Sequence, residues 1–303
     1  MKQFYTDVQR QIKTLRSLFT EDSSILLLTH KGCLDGHGCQ MLMEKNFNDV
    51  FTVKLSPADT DSYVQTLNTD DFDVIIFADL STKDKAFLNK PNTVLVDHHA
   101  TAAELHNPSN NIFVYQDECG TYLLQKFIEC IKQKQNKKLD DLVNVINDYD
   151  MWRLKDDRSK ALQALFYHIG EDKFTERFWN FKVKFNEDET AWWDDTVTER
   201  KRIFDNMDVF QAEGSKVGFV FQTEFSNEFC NDALNELDID VIVFVKPRMG
   251  SVRTNRRDIS IGKMLEELGI GGGHDKAGGF RCQSDDAIRK CVEMIEDYSF
   301  KNF

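Results

Sequence analysis

The sequence predicts an α/β protein in two parts: an N-terminal parallel sheet covered by helices and a smaller C-terminal α/β unit, joined by a helical connector. Three observations lead to that expectation. In the first half, short β-rich apolar runs alternate with polar segments of helix length, which is the rhythm of βαβ units. From Ser159 to about Glu213 the pattern stays helical and is crowded with large aromatics. Beyond Ser215 strands return, followed by a glycine cluster and a closing helix. A chain of 303 residues can hold two hydrophobic cores. The expected divisions are residues 1–153, 154–213 and 214–303.

Each element has its own warrant. Residues 25–28, Ile-Leu-Leu-Leu, read as a buried strand, and residues 35–46 as the helix after it. Residues 74–78 and 94–96 are further β-rich runs, and 120–138 and 139–150 read as two helices. In the connector, Phe166, Phe174, Phe178, Trp192 and Trp193 are expected to pack a core rather than stack on bases. In the last part, residues 217–221 and 241–245 read as strands, 246–250 as a hairpin turn leading into a strand through Thr254, and 259–268 as a helix. Gly269, Gly271, Gly272 and Gly273 then form a loop, and a helix over 285–297 closes the chain.

Composition excludes several classes. No apolar run reaches the length of a membrane-spanning helix. The seven cysteines are scattered and contain no C-x-x-C pair, so neither a disulfide framework nor a zinc ribbon is expected, and a reducing, cytoplasmic compartment is the simplest reading. The formal net charge of −13 disfavours a grip on long duplex DNA. Basic residues outnumber acidic ones only locally, between Lys246 and Lys276, where a solvated surface explains them equally well.

The polar residues cluster where chemistry is expected. The first strand runs into Thr29-His30, the run at Val74 into Asp79, and the run at Val94 into Asp97-His98-His99. Open α/β sheets bind ligands beyond the carboxyl ends of their strands. Three strand ends thus deliver carboxylates and imidazoles, the donors of Mn, Zn and Fe sites, to one sheet edge. The turn from His30 through Gly32, Cys33, Asp35 and His37 to Gly38 is neither a P-loop nor a dinucleotide-binding loop. Taken singly, Asp35 could be a helix cap and Asp79 a turn residue.

These motifs resemble the DHH family of phosphoesterases with a C-terminal DHHA1 domain. Asp97-His98-His99 matches the family's D-H-H motif, Asp79 its strand-ending aspartate, and residues 30–38 its first motif. Asn147-Asp148-Tyr149-Asp150 matches its fourth, with Asp148 favoured and Asp150 second. Ser251-Val252-Arg253-Thr254 and Gly271-Gly272-Gly273-His274 match the DHHA1 strand and its G-G-G-H motif. The likeness spans about residues 24–283. Aligning on Asp35-Gly36 puts Cys33 where the family has a carboxylate, and His37 stands by as an alternative donor.

The resemblance implies two Mn²⁺ ions, with Mg²⁺ or another divalent ion as substitutes, in a cleft between the two domains. One ion would be held by Asp35, Asp79, His98 and Asp148, and the other by His30, Asp79 and Cys33. Asp97 would fix imidazole orientation and His99 would touch the phosphate. Ser251, Arg253, Gly271, Gly272, Gly273 and His274 would bind the far end of the substrate. The implied activity is hydrolysis of short oligonucleotides or small nucleotides, with room for a homodimer and no membrane partner. The alternatives are a single-strand exonuclease of the RecJ type and a weakened nucleotide-sensing module.

Overall fold

The computed structural model describes residues 1–221, 227–282 and 284–298. The chain divides into two units, Met1–Asn186 and Glu187–Phe303. The first contains α1 (Lys2–Leu18), β1 (Ile25–His30), α2 (Leu34–Asn46), β2 (Val50–Leu55), α3 (Pro57–Thr66), β3 (Val74–Ala78), α4 (Lys85–Leu88), β4 (Thr93–Asp97), β5 (Ile112–Val114), α5 (Gly120–Lys132), α6 (Asp140–Asp150), α7 (Arg158–Ile169) and α8 (Glu171–Phe178). Its five strands are all parallel, in the order β2-β1-β3-β4-β5.

The inner strands are continuous apolar runs because helices cover both faces of the sheet. Leu26, Leu28, Ile75, Phe77 and Leu95 point to a core closed by Val64 of α3 and by Phe87 and Leu88 of α4. On the opposite face Phe113 packs on Phe127 of α5 and on Phe4 of α1, with ring centroids 5.8 and 6.3 Å apart. Two strands of this unit escaped the sequence reading. β2 is a half-exposed edge strand, and β5 is only three residues long, so neither makes a continuous apolar run.

The aromatic stretch of 154–213 is shared between the units. Phe166, Phe174, Phe178 and Phe181 are buried in the first unit, where α7 and α8 pack beside α6 and α2. The second unit begins with α9 (Glu187–Asp205) and continues through β6 (Asp208–Ala212), β7 (Ser215–Phe221), α10 (Asn227–Glu236), β8 (Val241–Lys246), β9 (Met249–Thr254), α11 (Ile261–Glu267), β10 (Gly271–His274), β11 (Ala277–Arg281) and α12 (Asp285–Glu296). Residues 208–212 therefore leave the expected helical pattern. They form a strand because Val209 and Phe210 pair with Gly218 and Val217 of β7.

Among the described residues, the second sheet has six strands in the order β10-β11-β9-β8-β7-β6, of which only β7 and β8 run parallel. Val241, Val243, Val245 and Val252 face α11 and α12, while Ile242 and Phe244 face α10 and the end of α9. Among the described residues, no helix is long and apolar enough to cross a membrane.

Candidate metal centre

The site of the first unit is assembled at the carboxyl ends of β1, β3 and β4. Because these strands run parallel, their carboxyl ends and the loops that follow share one edge. His30 is the last residue of β1, Asp97 the last of β4, and Asp79 follows β3 directly. Asp79 has φ of 57°, a left-handed backbone that few non-glycine residues adopt. Such a conformation costs on the order of 1–3 kcal/mol and persists where surrounding structure imposes it.

His98 is the hub. Its Nε2 lies 3.2 Å from Asp79 Oδ1, 3.6 Å from Asp35 Oδ2 and 3.5 Å from Asp150 Oδ2. Asp35 enters from the first turn of α2, and its two oxygens accept the backbone N–H groups of Gly120 and Thr121 at 2.7 and 2.8 Å. It thus caps α5 while keeping lone pairs free toward His98. The fit is tight: a Cβ on Gly120 would stand 2.6 Å from Asp79 Cβ and 3.0 Å from Asp35 Oδ2. Only glycine lets α5 start this close to the two aspartates.

Asp97 has a different task. Its Oδ1 accepts the backbone N–H of His98 at 2.8 Å and lies 2.8 Å from His99 Nδ1. An Nδ1–H donated to Asp97 leaves His99 Nε2 directed outward on a fixed ring. His99 is accordingly raised above the usual imidazole range, chiefly by its bond to Asp97. His98 is lowered by burial, and His30 by burial and then by His99. Neutral imidazole is the form that binds metal.

The carboxylates show the opposite strain. Asp79 is pushed well above the usual range by burial and then by Asp35, Cys33, Asp150 and Asp97. Asp150 is pushed up to about 8 by burial and then by Asp35. Asp79 Oδ2, Asp97 Oδ2 and Asp150 Oδ2 are buried without a hydrogen-bond partner in the described structure. Clustered acids with unsatisfied oxygens are costly unless a cation joins them. Three donor sets have ligand atoms within 4.8 Å of one another: His30, Cys33 and Asp79; Asp79, His98 and His99; Asp35, Cys119 and Asp150. These residues fit divalent cations by donor type, by proximity and by their orphaned oxygens.

No family model and no curated protein matches the chain. Solved structures do. Exonuclease RecJ bound to manganese aligns with a TM-score of 0.59 at 13% identity, covering 98% of this chain and 94% of that one. The DHH domain of a member of a ribosomal-protein family aligns with a TM-score of 0.56 at 11% identity, covering 98% and 92%. A pGpG-specific phosphodiesterase from Vibrio cholerae aligns with a TM-score of 0.50 at 16% identity, covering 90% and 97%. This chain has the DHH fold.

Within that fold, Asp148 and Asp150 stand in different surroundings. Both oxygens of Asp148 accept backbone N–H groups, from Lys155 and Asp156 at 3.0 Å each, so it caps the turn that follows α6. Asp150, two residues on at the last turn of α6, is the one beside His98. Cys33 occupies the N-cap position of α2 without a side-chain capping bond, its Sγ lies near His30 and Asp79, and its thiol is pushed up to about 12 by burial and then by Asp35. His37 is occupied elsewhere: Nδ1 lies 2.7 Å from Lys54 Nζ and Nε2 2.8 Å from Thr175 Oγ1. Cys119 was missed in the sequence. It lies outside every motif, and only the packing of the α5 N-terminus against α2 brings it beside Asp35.

The second unit of the DHH-fold chain holds the remaining residues. The G-G-G-H segment is a strand, not a loop. Gly271, Gly272, Gly273 and His274 pair antiparallel with Phe280, Gly279, Gly278 and Ala277. A Cβ on Gly273 would stand 2.4 Å from Ala277 O, so close strand pairing accounts for that glycine without any anion. Ala277 also opposes Arg253 of β9, so His274, Ala277 and Arg253 stand at one level across three strands. The Arg253 guanidinium donates to Ser251 Oγ and Gly278 O at 2.5 and 3.2 Å.

Proposed function

We propose that this protein is a divalent-metal-dependent phosphoesterase acting on short oligonucleotides or small nucleotides. One observation carries the reading: His98 Nε2 is ringed by the carboxylates of Asp35, Asp79 and Asp150, with buried oxygens left unpartnered, at the carboxyl edge of a parallel sheet. His30, Cys33 and Asp79 would hold one ion, and Asp35, His98 and Asp150 the other, with Asp79 between them. A reading of two divalent ions is supported by this double donor set and by the manganese named for the RecJ structure, which is itself a divalent ion.

The chemistry such ions supply is Lewis acidity toward phosphoryl oxygens and acidification of water. The chain's own groups do the rest. Asp97 holds the His99 ring still, and the outward His99 Nε2 binds a phosphoryl oxygen of the substrate. Gly120 and Thr121 lock Asp35 through their N–H groups, so the donor set is formed before substrate arrives. In the second unit, Ser251, Arg253 and His274 offer a hydroxyl and two cationic or imidazole donors for a second phosphate. The net charge of −13 disfavours long polyanions.

A second reading, a nucleotide-sensing module with weak turnover, draws support from the Cys33 thiol in the position of a carboxylate. One screen separates the readings. Metal-stripped protein is supplied with Mn²⁺, Mg²⁺ or Zn²⁺ and assayed on dinucleotides, cyclic dinucleotides, a bisphosphorylated nucleoside, pyrophosphate and longer single strands. Hydrolysis confined to the short phosphodiesters is expected. Tight binding without turnover favours the sensor, processive loss of long strands favours a RecJ-type exonuclease, and undiminished turnover in excess chelator removes the metal from the reaction.

A further inference from the structure

The centre contains two thiols, one in each donor set that lies on either side of His98. Cys33 Sγ is grouped with His30 and Asp79, and Cys119 Sγ with Asp35 and Asp150. A buried cysteine is ordinarily a small hydrophobe among hydrophobes. Cys119 is fully buried, yet two of its neighbours are carboxylates, and Asp79 Oδ2 and Asp150 Oδ2 remain unpartnered in the described structure. Cys39, also buried nearby, has a different partner, with its Sγ 3.7 Å from Thr121 Oγ1.

The position of Cys119 is braced. Its backbone N–H donates to Asn147 Oδ1 at 2.8 Å, and Asn147 Nδ2 donates to Glu118 Oε2 at 2.6 Å. Arg153 adds bonds to Glu118 Oε2 and Asp117 O at 2.8 and 2.6 Å. Asn147 and Arg153 flank Asp150 in sequence. The segment before α5 is thus clamped to the end of α6, and Cys119 and Asp150 are held as a pair.

We propose that Cys119 is a sulfur donor to one ion and Cys33 to the other, making a mixed sulfur, carboxylate and imidazole centre that selects borderline ions such as Zn²⁺ and Co²⁺ over Mn²⁺ and Mg²⁺. The inference rests on the two-ion reading above and names the ions it takes. Each thiol releases its proton to solvent as it binds. Sulfur favours the softer ions, whereas an oxygen-only set suits Mn²⁺ and Mg²⁺.

The test is an anaerobic Co²⁺ titration of the metal-stripped full chain, read by thiolate-to-cobalt charge transfer in the near ultraviolet and by visible ligand-field bands. The wild type is expected to show charge transfer, Cys33→Ser to keep about half of it, and the double variant with Cys119→Ser to lose it while retaining the visible bands. Zn²⁺ preference over Mn²⁺ should fall about 10-fold in Cys119→Ser. If Cys33→Ser binds Co²⁺ without charge transfer, Cys119 is no donor. That outcome does not depend on whether Cys119→Ser folds. A wild type with visible bands alone overturns both sulfurs. Charge transfer without any hydrolysis overturns the phosphoesterase reading and leaves the sulfur assignment intact. Hydrolysis with an oxygen–nitrogen spectrum does the reverse.

Discussion

At the scale of single residues, the centre separates groups that face the shared space from groups that only shape it. Asp150 faces His98 with an unpartnered oxygen, whereas Asp148 spends both oxygens on a turn. Asp150→Ala is therefore expected to abolish metal-dependent turnover with the thermal midpoint unchanged or raised, since it removes a carboxylate whose Oδ2 is buried without a hydrogen-bond partner. Asp148→Ala should instead cost about 1–3 kcal/mol of stability, from two lost charge-assisted bonds, and leave kcat of the folded fraction within a few-fold. Steady-state assays paired with denaturant titrations decide between them; equal kcat losses would show that the fourth motif works as a unit. Gly120→Ala is a second prediction at this scale. The added methyl meets Asp79 Cβ at 2.6 Å and must displace a donor, so turnover should drop about 100-fold or more while circular dichroism stays native. Near-normal activity would mean that the α5 N-terminus can retreat without cost to the site.

At the scale of elements, helices and strands are tied by a few polar bonds whose strength depends on pH. Asp61 of α3 accepts Thr82 Oγ1 at 2.7 Å and Lys83 N–H at 2.8 Å, binding α3 to the segment after β3. Those two bonds hold its carboxyl below the usual range. A depressed carboxylate contributes stability that is fully present above its unfolded value, about pH 4, and is lost as pH falls through the folded value. The destabilisation caused by Asp61→Ala should then be about 1–2 kcal/mol at pH 7 and shrink steadily below pH 4. Urea titrations of both forms across that range test the sign, and a gap that widens in acid would contradict it. Packing between elements is less sensitive to pH and larger. Phe174 of α8 lies within 5.3 Å of Phe166 and 4.7 Å of Phe178, fully buried. Phe174→Ala should cost about 3–5 kcal/mol in a denaturant titration.

At the scale of the whole molecule, the two units have separate cores, and every proposed ion donor belongs to Met1–Asn186. That fragment, produced alone, is expected to unfold cooperatively and to bind divalent ions with affinity within a few-fold of the full chain. If Arg253 and His274 bind substrate as proposed, its turnover of short oligonucleotides should fall mainly through a higher KM. Calorimetry with the metal, followed by kinetics, checks this. An unfolded fragment would show that the second unit is needed for more than substrate.

Much of this was legible in the sequence because the signals are local. Continuous apolar runs marked β1, β3 and β4, since strands covered on both faces can carry nothing else. Polar residues at their carboxyl ends marked the edge where a ligand binds. The edge strand β2 and the three-residue β5 were not legible, because their hydrophobicity is set by neighbours rather than by their own period. Residues 208–212 read as helix and became a strand through pairing with β7. The choice between Asp148 and Asp150 was likewise hidden: two aspartates two residues apart on one helical turn differ only in what each meets, a turn in one case and His98 in the other. Cys119 had no sequence signal at all. The sequence alone determined which residue types would stand at the ends of which strands, because chain direction and apolar pattern dictate that. Only the tertiary structure decided which of them share one volume, because that depends on where α5 and α6 begin and end against the sheet, a matter of packing at a single glycine.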